Sequence, residues 1–358
     1  MKKVGILTSG GDCQGLNPAI RGVAKGLYDI YGKEVKIYGI KDGYKGLIDG
    51  EYEIMKKSAF SGILTMGGTI FGTSRQPFKQ MRVIGDDGVD KVKAMKENYE
   101  KMGLDCLVIL GGNGTHKTAN LLSEEGLNVV TLPKTIDNDL WETDITFGFY
   151  SALDVATEVI DRLHTTATSH GRIFVVEIMG HKAGWLNLYA GLAGGADIIL
   201  IPEIPYSIDK ITEVIDSRTK EGKVFSIVAV AEGAISLEES KMSKKEFKAA
   251  RAAMTHSSIA YRVADDIAKV TGHDVRVTVP GHIQRGGSPS AYDRVLSTMF
   301  GTKAAELIRD GKFGYMVGMK NNEVVPVPLS EVAGKLKCVP LDNQVVASAR
   351  NIGISFGD

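Results

Sequence analysis

The chain has 358 residues, with Lys+Arg and Asp+Glu both at 43 and a formal net charge of +0. That length favours two lobes over one average domain, and charge neutrality argues against a nucleic-acid or acidic-membrane partner. No apolar run approaches the roughly 20 residues of a bilayer-spanning helix, and because Met1-Lys2-Lys3 runs straight into a strand-like segment no signal peptide is expected. The three cysteines, Cys13, Cys106 and Cys338, are odd in number and lack metal-ligand spacing. The expectation is a cytoplasmic protein with reduced thiols. The histidines form no HExxH-type cluster, so no zinc site is expected.

In chain order, Val4–Thr8 reads as a buried strand, followed by Ser9-Gly10-Gly11-Asp12 and a helix starting near Pro18. Val35–Ile40 is the second strand. Met66-Gly67-Gly68-Thr69 and Gly72-Thr73-Ser74-Arg75 form a glycine-rich stretch, and Val89–Met102 has a helical pattern. Cys106–Leu110 is a strand, followed by Gly111-Gly112-Asn113-Gly114-Thr115 and a helix from about His116. The strand Val129–Leu132 leads into Pro133-Lys134-Thr135-Ile136-Asp137-Asn138-Asp139. Beyond it come the helix Phe149–His164, the strands Ile173–Ile178 and Ile198–Ile201, the helix Ile208–Lys220 and the strand Phe225–Ala231. A Lys-rich solvated helix over Lys241–Ala253, the strand Val275–Val279, the run Gly281–Pro289 and the helix Ala291–Ile308 follow. After Asp310 the rhythm is lost and the tail is unassigned. Near-continuous apolar strands alternating with helices predict α/β architecture with mainly parallel sheets and right-handed crossovers, in two similar Rossmann-like lobes.

Chemistry concentrates just past strand ends, where open α/β sheets place their ligands. In Pro133–Asp139 two carboxylates and a lysine share one rigid loop: one carboxylate can take a proton while the other helps hold a cation. The run also suits a plain turn and helix cap. The glycine loops weigh toward function, because glycines let backbone N–H groups approach an anion and a helix N-terminus adds a favourable dipole. None matches the P-loop or GxGxxG pattern. Arg75, Arg172, Arg276 and Arg285 stand in glycine-flanked loops and suit bidentate phosphate binding. Glu232, at the end of a strand, suits acceptance of hydrogen bonds from sugar hydroxyls.

Taken together, Leu7-Thr8-Ser9-Gly10-Gly11-Asp12, Gly72–Arg75, Gly111–Thr115, Pro133–Asp139, Met179-Gly180 and Gly281–Pro289 resemble the phosphofructokinase family, in its order, from the first strand to about Arg294. The resemblance implies the phosphofructokinase fold, with a larger nucleotide-binding lobe at 1–140 plus 284–334 and a smaller sugar-phosphate lobe at 141–283 plus 335–358. It implies glycolytic phosphoryl transfer from ATP with Mg²⁺ to the 1-hydroxyl of fructose 6-phosphate. By the same resemblance Asp137 is the general base. Thr135, Asp139, Met179, Gly180 and Glu232 hold the sugar, and Arg172, Arg276, His282 and Arg285 hold the 6-phosphate. Arg172 and Arg276 come from a neighbouring subunit of a homotetramer or homodimer. Gly11 and Arg75 stabilise the phosphoryl group in flight. Tyr44, Gly112, Asn113, Gly114, Thr115 and Lys134 line the donor site, and Asn113 or Asp139 reaches the metal.

Three departures qualify the match. Asn113 stands where the family carries a metal-binding aspartate, and an amide is a weaker Mg²⁺ ligand. Lys134 is typical of pyrophosphate-dependent members, whereas Gly114 matches the ATP type. His181 replaces the arginine after Met-Gly. Among effector-site positions Arg21, Lys25 and Lys223 match, while His164 replaces an arginine. A pyrophosphate-dependent enzyme is the alternative, and a non-catalytic sugar-phosphate-binding module on the same fold is a remote one.

Overall fold

The structure, a computed structural model, describes residues 1–85 and 88–358. Its strands in chain order are β1 (Lys2–Ser9), β2 (Val35–Ile40), β3 (Tyr52–Met55), β4 (Cys106–Gly111), β5 (Val129–Pro133), β6 (Ile173–Ile178), β7 (Ile198–Leu200), β8 (Ser226–Ala231), β9 (Val275–Thr278), β10 (Tyr315–Lys320) and β11 (Glu323–Pro328). The chain divides into two compact units. One comprises 1–136, 140–151 and 285–336; the other comprises 137–139, 152–284 and 337–358.

In the first unit seven strands run in the order β11-β10-β5-β4-β1-β2-β3. The central strands β1, β4 and β5 are parallel, and Ser9, Gly111 and Pro133 stand in register at their carboxyl ends. Strands β4 and β5 are buried along their whole length, as their unbroken apolar runs require of a sheet covered on both faces. Leu7, Leu107, Ile109, Leu122, Val129 and Met316 share the core on one side. The sheet is not wholly parallel: β3 pairs antiparallel with β2 and β11 with β10, both at its edges. The tail beyond Asp310 therefore resumes regular structure. Its hairpin turns at Asn321-Asn322, both with positive φ (52° and 66°), the conformation of a two-residue type I′ turn.

The second unit holds a four-stranded parallel sheet, β7-β8-β6-β9. Val175, Val228, Val230, Ile211, Val263 and Ile267 fill one core face. Several helix bounds differ from expectation. The helix after β4 spans Asn113–Glu124, so Asn113, Gly114 and Thr115 form its first turn rather than a loop. The first helix begins at Leu16, and the helix Phe149–His170 runs on past His164. The Lys-rich helix starts at Lys244, because Ser243 and Glu246 make a capping box there, and it buries none of its residues.

Candidate active site

The order β5-β4-β1-β2 reverses direction of winding between β4 and β1, which opens a crevice at their carboxyl ends. Three loops leave from there side by side. The Gly10–Asp12 loop is tied to the Gly72–Arg75 loop: Gly10 N–H donates to the Ser74 carbonyl at 3.0 Å and Thr73 Oγ1 donates to the Gly10 carbonyl at 2.7 Å. Arg75 itself is exposed, and its guanidinium has no carboxylate partner among the described residues. Lys134, nearly buried, donates from Nζ to the Gly11 carbonyl, and its backbone N–H donates to the Gly111 carbonyl at 3.0 Å. Arg285 Nη1 donates to the Asp12 carbonyl at 3.1 Å. A side chain on Gly11 would start 3.1 Å from that same nitrogen.

The helix Asn113–Glu124 opens on Gly112 with no side-chain cap, so its first-turn N–H groups and the positive end of its dipole face the crevice. Gly111 has no room for a side chain, since a Cβ would sit 2.3 Å from Thr115. Gly114 is different: nothing lies within 4 Å of where its Cβ would be. Tyr44 does not present its ring to the crevice. It begins the helix Tyr44–Asp49, is fully buried, and donates from its hydroxyl to the Thr115 carbonyl at 2.8 Å. Beneath the same turn lies His116, which sequence reasoning passed over. It is fully buried, with Nδ1 2.9 Å from the Gly112 carbonyl, and burial lowers its pKa to about 4. It is neutral at pH 7 and Nδ1 is the donor. Asn113 Nδ2 donates to the Lys335 carbonyl at 2.5 Å, so the amide is engaged by the chain.

Thr135 and Asp137 are both nearly buried. The Thr135 carbonyl accepts from Thr146 Oγ1 at 2.7 Å, which fixes the exit of β5. In the second unit Asp137, Asn138 and Asp139 make a tight turn about Asn138, whose φ is 50°. In the same unit Met179 and Gly180 leave β6 beside Glu232, which leaves β8; Ile178 and Ala231 are in register. The Glu232 carboxylate accepts from the N–H groups of Gly180 at 3.2 Å and His181 at 2.6 Å. The Met179 N–H donates to Gln284 Oε1 at 3.2 Å. Gln284 is fully buried and was missed as a site residue. It lies within the Gly281–Pro289 run, where the charged neighbours His282 and Arg285 drew the reading instead. His282 is exposed on the short helix Gly281–Arg285.

Arg172 and Arg276 come together, but not with Glu232. Both bond Asp274 Oδ2, at 2.7 Å and 3.1 Å. Arg172 precedes β6 and Arg276 is the second residue of β9, so they sit at the amino ends of strands whose carboxyl ends carry Met179 and Glu232. Six strand residues separate the two ends by roughly 20 Å. Among the described residues no group of three or more His, Cys, Asp or Glu side chains is placed to cage a metal. Mg²⁺ needs no such cage, because it keeps water and takes one or two carboxylates plus phosphate oxygens.

Known proteins resemble this chain over most of its length. The Phosphofructokinase family profile matches residues 3–308. An "ATP-dependent 6-phosphofructokinase" of Spirochaeta thermophila is 58% identical over 99% of this chain and 97% of its own length. An "ATP-dependent 6-phosphofructokinase 3" of Bacteroides thetaiotaomicron is 49% identical over 99% of this chain and 100% of its own. Among solved structures, Pichia pastoris phosphofructokinase in the T-state superposes with a TM-score of 0.80 at 32% identity, covering 98% of this chain but only 36% of that longer one. A pyrophosphate-dependent phosphofructokinase from Nitrosospira multiformis shares the fold at a TM-score of 0.82 and 21% identity, covering 100% of this chain and 93% of that one.

Proposed function

This chain belongs to the phosphofructokinase family, and from that membership we propose that it transfers the terminal phosphoryl group of ATP to the 1-hydroxyl of fructose 6-phosphate. The observation that carries the reading is the register of Ser9, Gly111 and Pro133, which starts two glycine loops and the acidic loop from neighbouring strand ends. Asp137 takes the proton from the sugar hydroxyl as the new O–P bond forms and the bond between the transferred phosphorus and its bridging oxygen breaks. Little covalent work is asked of the protein. Gly11 N–H and Arg75 neutralise charge on the moving group. Gly112, Asn113, Gly114 and Thr115, with the helix N-terminus behind them, hold donor phosphates, and Tyr44 supports that turn from below. Thr135, Asp139, Met179, Gly180 and Glu232 hold the sugar. His282 and Arg285, with Arg172 and Arg276 of a second copy, hold its 6-phosphate.

Asp139 suits a position on Mg²⁺; Asn113, whose amide already bonds the Lys335 carbonyl, is the weaker candidate. When bound, the metal would neutralise charge on the donor phosphates. A homotetramer is favoured, with a homodimer as the smaller option, and the location is cytoplasmic. The separation of Arg172 and Arg276 from Glu232 within one chain supports a site completed by another subunit.

A second donor reading rests on one observation, the Lys134 ammonium on the Gly11 carbonyl: a cation beside that loop suits pyrophosphate as well. Coupled assays with ATP and with pyrophosphate, run in parallel with Mg²⁺ and fructose 6-phosphate, decide between them. Turnover with ATP at a kcat/KM well above that with pyrophosphate is expected. The reverse order would assign the donor to pyrophosphate, and no turnover with either would remove the enzyme reading.

A further inference from the structure

The segment after Leu336 lies beyond the residues matched by the family profile, and its sequence carries no motif. In the second unit it lies against the Asp137–Asp139 turn. Lys337 N–H donates to the Asp139 carbonyl at 2.9 Å, and Lys337 Nζ donates to Asn138 Oδ1 at 3.0 Å. The same ammonium stands 5.5 Å from the centre of the Trp185 ring, close enough for cation–π attraction. Trp185 Nε1 in turn donates to the Lys337 carbonyl at 2.9 Å. Two residues on, Val339 N–H donates to Glu203 Oε1 at 2.9 Å. Glu203 also accepts from Gly184 N–H at 2.9 Å and 3.1 Å. The tail is thus pinned on both sides of Cys338 to the start of the helix Trp185–Ala193.

These bonds act on the one residue of the turn held in a costly backbone conformation. Asn138 has φ 50°, which a non-glycine residue adopts at a penalty and keeps only where its surroundings over-determine it. Its side-chain amide is held by Lys337, and the carbonyl of the next residue is held by the Lys337 backbone. The turn sets the angle between Asp137 and Asp139. A lysine held only for solubility would point its head to water. This one is fixed by an aromatic face and an amide oxygen.

We infer that Lys337 is a positioning residue for phosphoryl transfer: acting through Asn138, it fixes the left-handed turn that aims the Asp137 carboxylate. The inference rests on the reading of Asp137 as the base. Charge alone would not suffice for this role, because the amide contact needs a donor at that reach. Misplacing a reacting group by about 1 Å can cost around 100-fold in rate, so a loosened turn would show in turnover before it shows in binding.

The test compares wild type with Lys337→Met, Lys337→Arg, Asn138→Ala and the Lys337→Met/Asn138→Ala double variant. Lys337→Met keeps length and apolar volume but loses the donor. It is expected to lower kcat about 10- to 100-fold, with both KM values within about threefold and the melting temperature within a few degrees of wild type. Lys337→Arg should recover part of the loss. The double variant should be no slower than the slower single, because both remove one coupled contact. Amide hydrogen exchange in a peptide spanning residues 133–142 should be faster in Lys337→Met, whatever the assay shows. Lys337→Met turnover within twofold of an active wild type overturns the inference. So do multiplicative single effects with a fall in melting temperature and no recovery by arginine. If Lys337→Met does not fold, Asn138→Ala must reproduce the kcat-only loss or the inference fails. An inactive wild type would instead overturn the functional reading, and unchanged exchange in the peptide would then overturn the inference independently.

Discussion

Three residues carry predictions that can be read one side chain at a time. Asp137→Asn removes the base but keeps the shape, and kcat is expected to fall by at least the 10²–10⁴-fold typical of losing a general base, with little change in the KM for fructose 6-phosphate; a near-normal kcat would reassign the base. Gly114→Asp tests donor choice cleanly, because the Cβ position is open and the change introduces charge without a clash. A carboxylate about 4 Å from a donor phosphate costs roughly 1–4 kcal/mol depending on local dielectric, or about fivefold to nearly a thousandfold in ATP affinity. The measurement is kcat/KM for both donors, and a variant that still uses ATP well would shift the selector to Lys134 or Asn113. His116 gives a pH signature. Its pKa is near 4 in the folded chain and about 6.5 when exposed, so the unfolded chain binds the extra proton first. Stability is therefore unaffected above pH 6.5 and is lost as pH falls from 6.5 toward 4, by up to about 3 kcal/mol. His116→Asn retains a donor for the Gly112 carbonyl, and chemical denaturation across that window should show the slope flattened.

At the scale of elements, the central strands were legible because each is a short apolar run ended by glycine or proline, and burial on both faces leaves no other pattern. The acidic and glycine loops were legible for the same reason: they are where those runs stop. What escaped has physical causes. The helix Trp185–Ala193 is apolar on nearly every side and so shows no period of 3.6. The helix Ile259–Thr271 has a clear apolar face and a left-handed Gly272 cap, a signal present but unread. The β10–β11 hairpin hides because its turn is Asn-Asn rather than Asn-Gly, and its outer strand carries Pro326 on a sheet edge. Among residues near the site, Gln284 and Lys337 engage backbone and amide groups through hydrogen bonds that no spacing announces. The short helix Gly281–Arg285 brings Arg285 to the Asp12 carbonyl, which adds to its expected role with the sugar phosphate. Arg285→Ala should raise the KM for fructose 6-phosphate steeply and also lower kcat, with the donor KM nearly unchanged. An unaltered sugar KM would confine Arg285 to holding the Gly11–Asp12 loop.

The whole molecule bears on how one site is completed. Arg172 and Arg276 share Asp274 at the amino end of the second sheet, a strand length from Glu232, and no movement of side chains within one chain spans roughly 20 Å. If these guanidiniums hold the 6-phosphate, they do so for a neighbouring copy, and each site needs two chains. Reciprocal damage then becomes repairable. Arg276→Ala leaves the base intact and spoils the phosphate cradle offered to the partner; Asp137→Asn leaves the cradle intact and spoils the base. Each variant alone should be nearly inactive at low fructose 6-phosphate. Dissociated, mixed and reassembled, they should form some sites that take Asp137 from one chain and Arg276 from the other. In a two-chain site made from equal amounts of the variants, about one site in four is expected to be intact by random pairing, with a sugar KM near wild type for that fraction. Mixed oligomers, shown to have formed by tagged co-purification, that recover no activity would mean that Arg276 serves only Asp274 in its own chain.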